Sequence, residues 1–382
     1  MIRVAFLNSN SVMRSDKRRA FTINGRFLSQ TVTGVQRYAR QITAHLDDLL
    51  SKENSDFRFD AKIVVPPGAG ADYRLSSILV EPTRYGRGPL WDQFVLPFHT
   101  EGILLNLCNQ APLIVSPQIL CIHDVNTLLA PESYSRFFRL YYRQIQPLLA
   151  RRATRVATVS QFSARMLAKY GFCAFDNIAV IPNGHEHIEL WDAGRSAFAS
   201  RDPHAKPYVF VLGSRARHKN VEMLYAIAQE LEALGIEILV AGVGAGKFSD
   251  LGDRSVPPNV RHLGFVSDDD LAALYKHALC FAFPSLTEGF GVPALEAMAL
   301  GCPVIASDIA SLHEVCGNAA LYADPKSPDQ WLKCIQHLGG EPEAAGSLRQ
   351  RGLVQAKLFS WAKSARAYLD MLGTIQRDAV SA

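Results

Sequence analysis

Twice along the chain, short runs of β-branched and apolar residues alternate with segments of helical periodicity, and this alternation restricts the fold more than any other feature. Strands that are apolar throughout are buried on both faces, and the intervening helices supply the cover, so the pattern predicts parallel sheets flanked by helices. In the first block the strand-like runs are IRVAFLN (2–8), AKIVVPP (61–67), GILLNLCN (102–109), QILCIHDV (118–125), RVATVS (155–160) and IAVIPNG (178–184). Between them VQRYARQITAHLDDLL (35–50) carries the clearest helical stripe. The second block runs PYVFVLGS, a helix over 221–234, IEILVAGVG, VRHLGFV, a helix over 270–277, LCFAFPS, a helix over 293–300, PVIAS and ALYAD. The interval between the blocks is polar, Gly- and Pro-bearing and without sustained period. The expected organisation is an N-terminal unit over 1–185, a linker over 186–206, a C-terminal unit over 207–360 and a last amphipathic helix over 361–382 that crosses back to the N-terminal unit. Two doubly wound α/β units joined in this way enclose a cleft, with ligands beyond the carboxyl ends of the strands.

Chemistry concentrates in FPSLTEGFGVPALEAMALGCPVIAS (283–307), where Glu288 and Glu296 stand in a run otherwise apolar or glycine. A lone carboxylate loses much solvation on leaving water, so each acid is either exposed or has polar company. The strand LCFAFPS ends in the turn Thr287–Val292, Pro293 opens a helix, and Gly301 stops it. Gly289 and Gly291 let the backbone approach a ligand, and amides at a helix start, here Gly289, Phe290, Gly291 and Val292, suit a phosphate. Glu296 is the single charge on PALEAMAL and is placed to accept from ligand hydroxyls, with Glu288 farther along the same ligand. In GSRARHKN (213–220), Arg215 and Lys219 lie at a strand's carboxyl end as cations for a diphosphate, Arg217 and His218 are substitutes in either role, and Asn220 reads as the cap of the next helix.

Thr33-Gly34 offers a further close backbone approach at a helix start, and His123-Asp124 closes a strand on the cleft side. A histidine there is either hydrogen-bonded structure or part of a reactive site. Ser267-Asp268-Asp269-Asp270 reads as a helix cap with acids on the positive dipole end, not a cation site. No His/Cys/Asp/Glu set has metal-ligand spacing, and neither a Walker loop nor G-x-S-x-G is present.

Charge is uneven: residues 1–190 carry +7 and the remainder −3. From Ser133 to Phe175 there is no acid, while Arg136, Arg139, Arg143, Arg151, Arg152, Arg155, Arg165 and Lys169 interleave with Phe137, Phe138, Tyr141 and Tyr142. Such a strip suits anionic lipid or a phosphorylated substrate; the plainer reading is a core helix whose arginines reach out to water. Seven cysteines without a C-x-x-C pair read as reduced and structural. With no long apolar run and no signal-peptide core, the chain is expected in the cytoplasm, with peripheral contact on the inner membrane face through residues 136–169 and no nucleic-acid partner.

Glu288-GFGVPAL-Glu296 with GCPVIAS downstream, Gly213-Ser214-Arg215 with Lys219, and VSQFS (159–163) with IPNG (181–184) resemble glycosyltransferase family 4. The resemblance runs from TGVQRYAR to FSW, nearly the whole chain. It implies the GT-B fold, two Rossmann-like domains facing across a cleft. It also implies retaining transfer of a hexose, mannose first, from a nucleoside diphosphate sugar, GDP-mannose first, to a carbohydrate or polyprenyl-diphosphate-linked acceptor in surface polysaccharide biosynthesis. The nucleotide sugar is a co-substrate, and neither cofactor nor metal is expected.

By this likeness Glu296 holds the ribose, Arg215 and Lys219 the diphosphate, and the Gly289–Val292 amides the donor sugar and phosphate. Glu288 contacts donor-sugar hydroxyls, His123 sits near the anomeric carbon, Gly34 approaches the ligand from the other unit, and Gly264 and Phe265 meet the nucleobase. Family members with the form NGRFLSQTVTGVQRYAR begin near Phe21, so a first strand over 20–25 stands as the alternative to 2–8, with residues 1–19 an extension. A nucleotide-sugar epimerase or phosphorylase of the same fold, and a non-catalytic nucleotide-sugar-binding protein, are the other readings.

Overall fold

The computed structural model describes residues 19–52, 57–200, 205–213, 216–242 and 256–381. The run 2–8 lies outside these; the first described strand is β1 (Arg19–Asn24), at the alternative position. It is followed by β2 (Phe59–Val65), β3 (Leu79–Pro82), β4 (Ile103–Asn106), β5 (Gln118–Cys121), β6 (Arg155–Thr158) and β7 (Ile178–Val180), which form one parallel sheet in the order β3-β2-β1-β4-β5-β6-β7. Around it lie α1 (Gly34–Ser51), α2 (Gly88–Phe94), α3 (Asn126–Leu129), α4 (Arg136–Arg152) and α5 (Gln161–Lys169). Every residue of β4 and β5 is buried, so their sequences are apolar without alternation apart from Asn106 and Gln118, whose side chains bond to each other at 3.1 Å. β3 gives little signal in the sequence because it is four residues long, carries Glu81 and lies on the sheet edge, where Pro82 sacrifices no ladder bond.

The second sheet is also parallel: β8 (Tyr208–Leu212), β9 (Glu237–Ala241), β10 (Val260–Gly264), β11 (Cys280–Phe283), β12 (Val304–Ser307) and β13 (Ala320–Ala323), in the order β10-β9-β8-β11-β12-β13. Its helices are α6 (Glu222–Tyr225), α7 (Ala228–Ala233), α8 (Asp268–His277), α9 (Val292–Ala299), α10 (Ala310–Cys316), α11 (Pro328–Gly340) and α12 (Pro342–Ala356). The helix expected over 221–234 is thus two pieces, parted at Ile227, whose φ of −114° and ψ of 9° leave the helical region. Asn220 does not cap it. At φ 53° it closes the turn before the helix, and its amide donates to the carbonyls of Pro284 (3.0 Å) and Pro325 (2.7 Å).

The last helix, α13 (Trp361–Ser381), packs along α1, where the hydroxyls of Tyr38 and Tyr368 meet at 2.9 Å. Residues 184–191 are no loose tether, since His185 Nδ1 donates to the Phe359 carbonyl (2.7 Å) and the Trp361 amide donates to Glu186 (2.9 Å). Each sheet reverses its winding between its first strand and the neighbour on the other side: between β1 and β4, and between β8 and β11. Loops leaving these strands are where a crevice opens in a doubly wound sheet.

Candidate active site

Two loops flank the β8–β11 crevice. The one after β8 carries Lys219 in a short turn (Arg217–Lys219), and the one after β11 carries Glu288; the Leu286 amide donates to the His218 carbonyl at 2.7 Å and ties them together. Lys219 Nζ reaches Glu288 Oε1 at 2.7 Å and lies 5.6 Å from the centre of the Phe283 ring. Glu288 is only 7% exposed, so the ammonium offsets part of the solvation that the carboxylate gave up. Asp124 approaches the same pair from the other sheet. Burial raises its pKa, Glu288 adds to that effect, and Lys219 opposes it.

The bend after Glu288 is held by two glycines for different reasons. Gly291 sits at φ 108° as the residue before α9, and a Cβ there would stand 2.6 Å from Leu312. Gly289 is needed for space: its Cβ would lie 2.8 Å from the His123 carbonyl oxygen and 2.9 Å from Asp124 Cβ. Its own carbonyl accepts from Ser160 Oγ (2.5 Å) and Ser163 Oγ (3.1 Å). The bend is therefore docked on the first sheet, with the amides at the start of α9 beside it. Phe290 is buried with its ring edge-on to Phe359 at 5.5 Å, and Val292 opens α9.

Glu296, buried at 4% exposure on α9, has company that the sequence reading did not identify. Its Oε1 accepts from His187 Nε2 at 2.8 Å and lies 4.0 Å from Arg37 Nε. Arg37 of α1 forms a fork with Asp268 (2.7 and 3.1 Å) and lies over the Trp191 ring at 5.5 Å. So the two glutamates have separate partners: Lys219 serves Glu288, whereas His187 and Arg37 serve Glu296. Arg215 lies outside the described residues.

His123 ends buried, with Nε2 donating to the Leu107 carbonyl (2.9 Å), its amide donating to Asn109 (2.7 Å) and its ring edge-on to Tyr38 at 4.8 Å. It touches the glycine bend through its carbonyl. Gly34 opens α1, is exposed and has no atom within 4 Å of where a Cβ would be. Gly264 ends β10 at φ 73° and accepts from the Gly242 amide (2.7 Å), while the Phe265 ring beyond it is exposed. Ser267 and Asp270 form the reciprocal cap of α8, and Asp268 and Asp269 bind Arg37 and the Asp192 amide. Among the described residues no group of three His, Cys, Asp or Glu is placed to hold a metal ion, and no helix is long and apolar enough to cross a membrane.

Residues 99–187 match the model of Glycosyltransferase Family 4, and residues 194–353 that of Glycosyl transferases group 1. The O-antigen chain mannosyltransferase RfbU of Salmonella typhimurium is 26% identical over 255 residues, which cover 65% of this chain and 68% of RfbU. The serotype-specific mannosyltransferase WbdA of Escherichia coli is 28% identical over 273 residues, 65% of this chain but 32% of WbdA, so this chain spans about a third of that relative. Two solved structures share the architecture at low identity. Sucrose-phosphate synthase from Thermosynechococcus elongatus superposes with a TM-score of 0.70 at 18% identity, over 96% of this chain and 100% of its own. Anabaena HepE in complex with UDP-glucose gives 0.67 at 17% identity, over 94% and 100%.

Proposed function

The chain is a glycosyltransferase of family 4 with the GT-B fold, and from that premise we propose that it moves a hexose, mannose first, from a nucleoside diphosphate sugar to a hydroxyl of a carbohydrate or polyprenyl-diphosphate-linked glycan with retention of configuration. The observation that carries the reading is the half-buried Lys219–Glu288 pair beside the Gly289–Val292 bend at the β8–β11 crevice. The names of RfbU and WbdA support mannose and a surface-polysaccharide acceptor, and the UDP-glucose held by HepE supports a nucleotide sugar.

In this reading the barrier lies in departure of the nucleoside diphosphate as negative charge builds on its leaving oxygen. Lys219, Arg215 and the amides before α9 meet that charge, and a preorganised donor of this kind is worth about 3 kcal/mol. Glu288 accepts from hydroxyls of the donor sugar. Glu296 holds the ribose, and Gly264 and Phe265 border the base. His123, neutral and with Nε2 engaged, offers Nδ1 to a hydroxyl near the anomeric carbon. The departing phosphate oxygen takes the acceptor proton, and no metal ion is required.

Thermal shift with GDP-, UDP-, dTDP- and ADP-sugars identifies the donor, because a ligand bound only to the folded state raises Tm. Lys219→Ala is expected to lower kcat by about two orders of magnitude in protein that still folds, with a lower Tm because Glu288 is left without its ammonium. Normal turnover of that variant at saturating donor removes Lys219 from the mechanism. Treatment with EDTA is expected to leave turnover unchanged; a loss restored by a divalent cation removes the metal-free part of the reading.

A further inference from the structure

The segment His185-Glu186-His187 falls in the stretch between the sheets, and its three side chains all bind specific partners. His187 is 3% exposed and has both ring nitrogens engaged: Trp361 Nε1 lies 3.0 Å from Nδ1, and Glu296 Oε1 lies 2.8 Å from Nε2. An indole nitrogen only donates, so Nδ1 is the acceptor and the ring proton of the neutral imidazole sits on Nε2, directed at the carboxylate. Trp361, fully buried at the start of α13, thereby selects the tautomer that grips Glu296. No described residue donates to Glu296 Oε2, and Arg37 Nε, at 4.0 Å from Oε1, adds charge without a hydrogen bond.

We propose that His187 and Trp361 are positioning residues for Glu296: the chain Trp361→His187→Glu296 fixes one carboxylate oxygen and presents the other to a vicinal pair of ligand hydroxyls. This rests on the reading of Glu296 as the residue that holds the donor ribose. A carboxylate held by one aligned donor in a buried setting keeps a single orientation, and a site loosened by one missing support loses its affinity for the group it was aimed at. The same chain links the segment between the sheets and the start of α13 to the donor side, so the parts of the molecule that cross between sheets are in register with the ligand-facing acid.

The test compares GDP with 2′,3′-dideoxy-GDP, and UDP with 2′,3′-dideoxy-UDP, by titration calorimetry. The wild type is expected to bind at least one of the ribonucleotides about tenfold or more tightly than its dideoxy form, the scale of a hydrogen bond to a charged group. His187→Gln, whose amide nitrogen reaches the Nε2 position, is expected to keep that ratio; His187→Asn, which reaches only the Nδ1 position, and Trp361→Phe are expected to bring it toward one. In a Glu296→Ala background, His187→Asn is expected to cost nothing further, since coupled residues are not additive. An unchanged ratio in His187→Asn overturns the proposal, as does an equal loss by His187→Asn with and without Glu296, which marks a role in folding alone. A wild type that binds a ribonucleotide without preferring it over the dideoxy form removes the ribose reading of Glu296, and the proposal with it, and shows this before any variant is compared.

Discussion

His123 is enclosed by Tyr38 and the Leu107 carbonyl, and burial pulls its pKa down to about 4, only partly countered by the hydrogen bond that Nε2 donates. In the unfolded chain a histidine takes its proton near pH 6.5. Between that pH and about 4 the unfolded state binds a proton that the folded state refuses, so stability is complete above pH 6.5 and drains away as the pH falls toward 4. The full loss is on the order of 3 kcal/mol. His123→Gln retains a donor for Leu107 but does not titrate; urea melts between pH 4.5 and 7 are expected to show a flatter stability profile for it than for the wild type. Identical slopes in the two proteins would mean that His123 already accepts a proton in the folded state.

At the scale of elements, α4 bears on the two readings of the basic strip. Had it been a core helix with snorkelling arginines, its apolar side chains would face inward. Instead Phe137 (88% exposed), Leu140 (61%) and Leu148 (50%) share the outer arc with the exposed Arg136, Arg143, Arg151 and Arg152, while Gln146, Leu149 and Ala150 are the residues turned in. An arc that is both apolar and basic fits an anionic lipid surface, where each arginine contributes roughly 1 kcal/mol. Sedimentation with vesicles is expected to show binding to phosphatidylglycerol-containing but not purely zwitterionic membranes, weakened about tenfold or more in Arg136→Glu/Arg143→Glu and lessened by salt. Equal binding to both vesicle types would leave the arc without an electrostatic role.

The same scale shows what was legible. β4, β5, β11 and β12 could be read from sequence because burial on both faces demands largely apolar runs without alternation. Glu288 and Glu296 stood out because a charge in such a run needs a reason. His187 and Arg37 did not, since a polar residue in a polar stretch carries no such signal and their partners lie more than a hundred residues away. Asn220 departs from its expected capping role for a related cause: a capping residue type shows that a backbone turn is near, not on which side of it the helix lies.

Across the whole molecule, the contacts between the two sheets include a polar group around the Gly289 bend. Ser160 and Ser163 donate to its carbonyl, Thr287 Oγ1 donates to Asn126 (3.2 Å), and Arg37 reaches Asp268. A carboxylate joins them at a helix start: the two oxygens of Glu314 of α10 accept from the amides of Gln161 (2.7 Å) and Phe162 (3.1 Å) at the amino end of α5. Those amides are without helical partners of their own, and the dipole there favours a negative charge, so this contact exists only while the sheets are together. One apolar cluster also runs through both sheets, with Trp361 and Tyr368 of α13 packed on Tyr38, so the polar contacts add to a dry seam and a charge-assisted one shifts the balance. Glu314→Gln keeps the shape, removes the charge and leaves one acceptor; the expected cost is about 1–2 kcal/mol in the closed state alone. Donor KM should rise and kcat fall together, because both depend on the population of closed molecules, while the melting temperature stays within a few degrees. Small-angle scattering without ligand should show a larger radius of gyration for the variant than for the wild type. If the radius is the same and only KM changes, Glu314 acts on the ligand and not on the meeting of the two sheets.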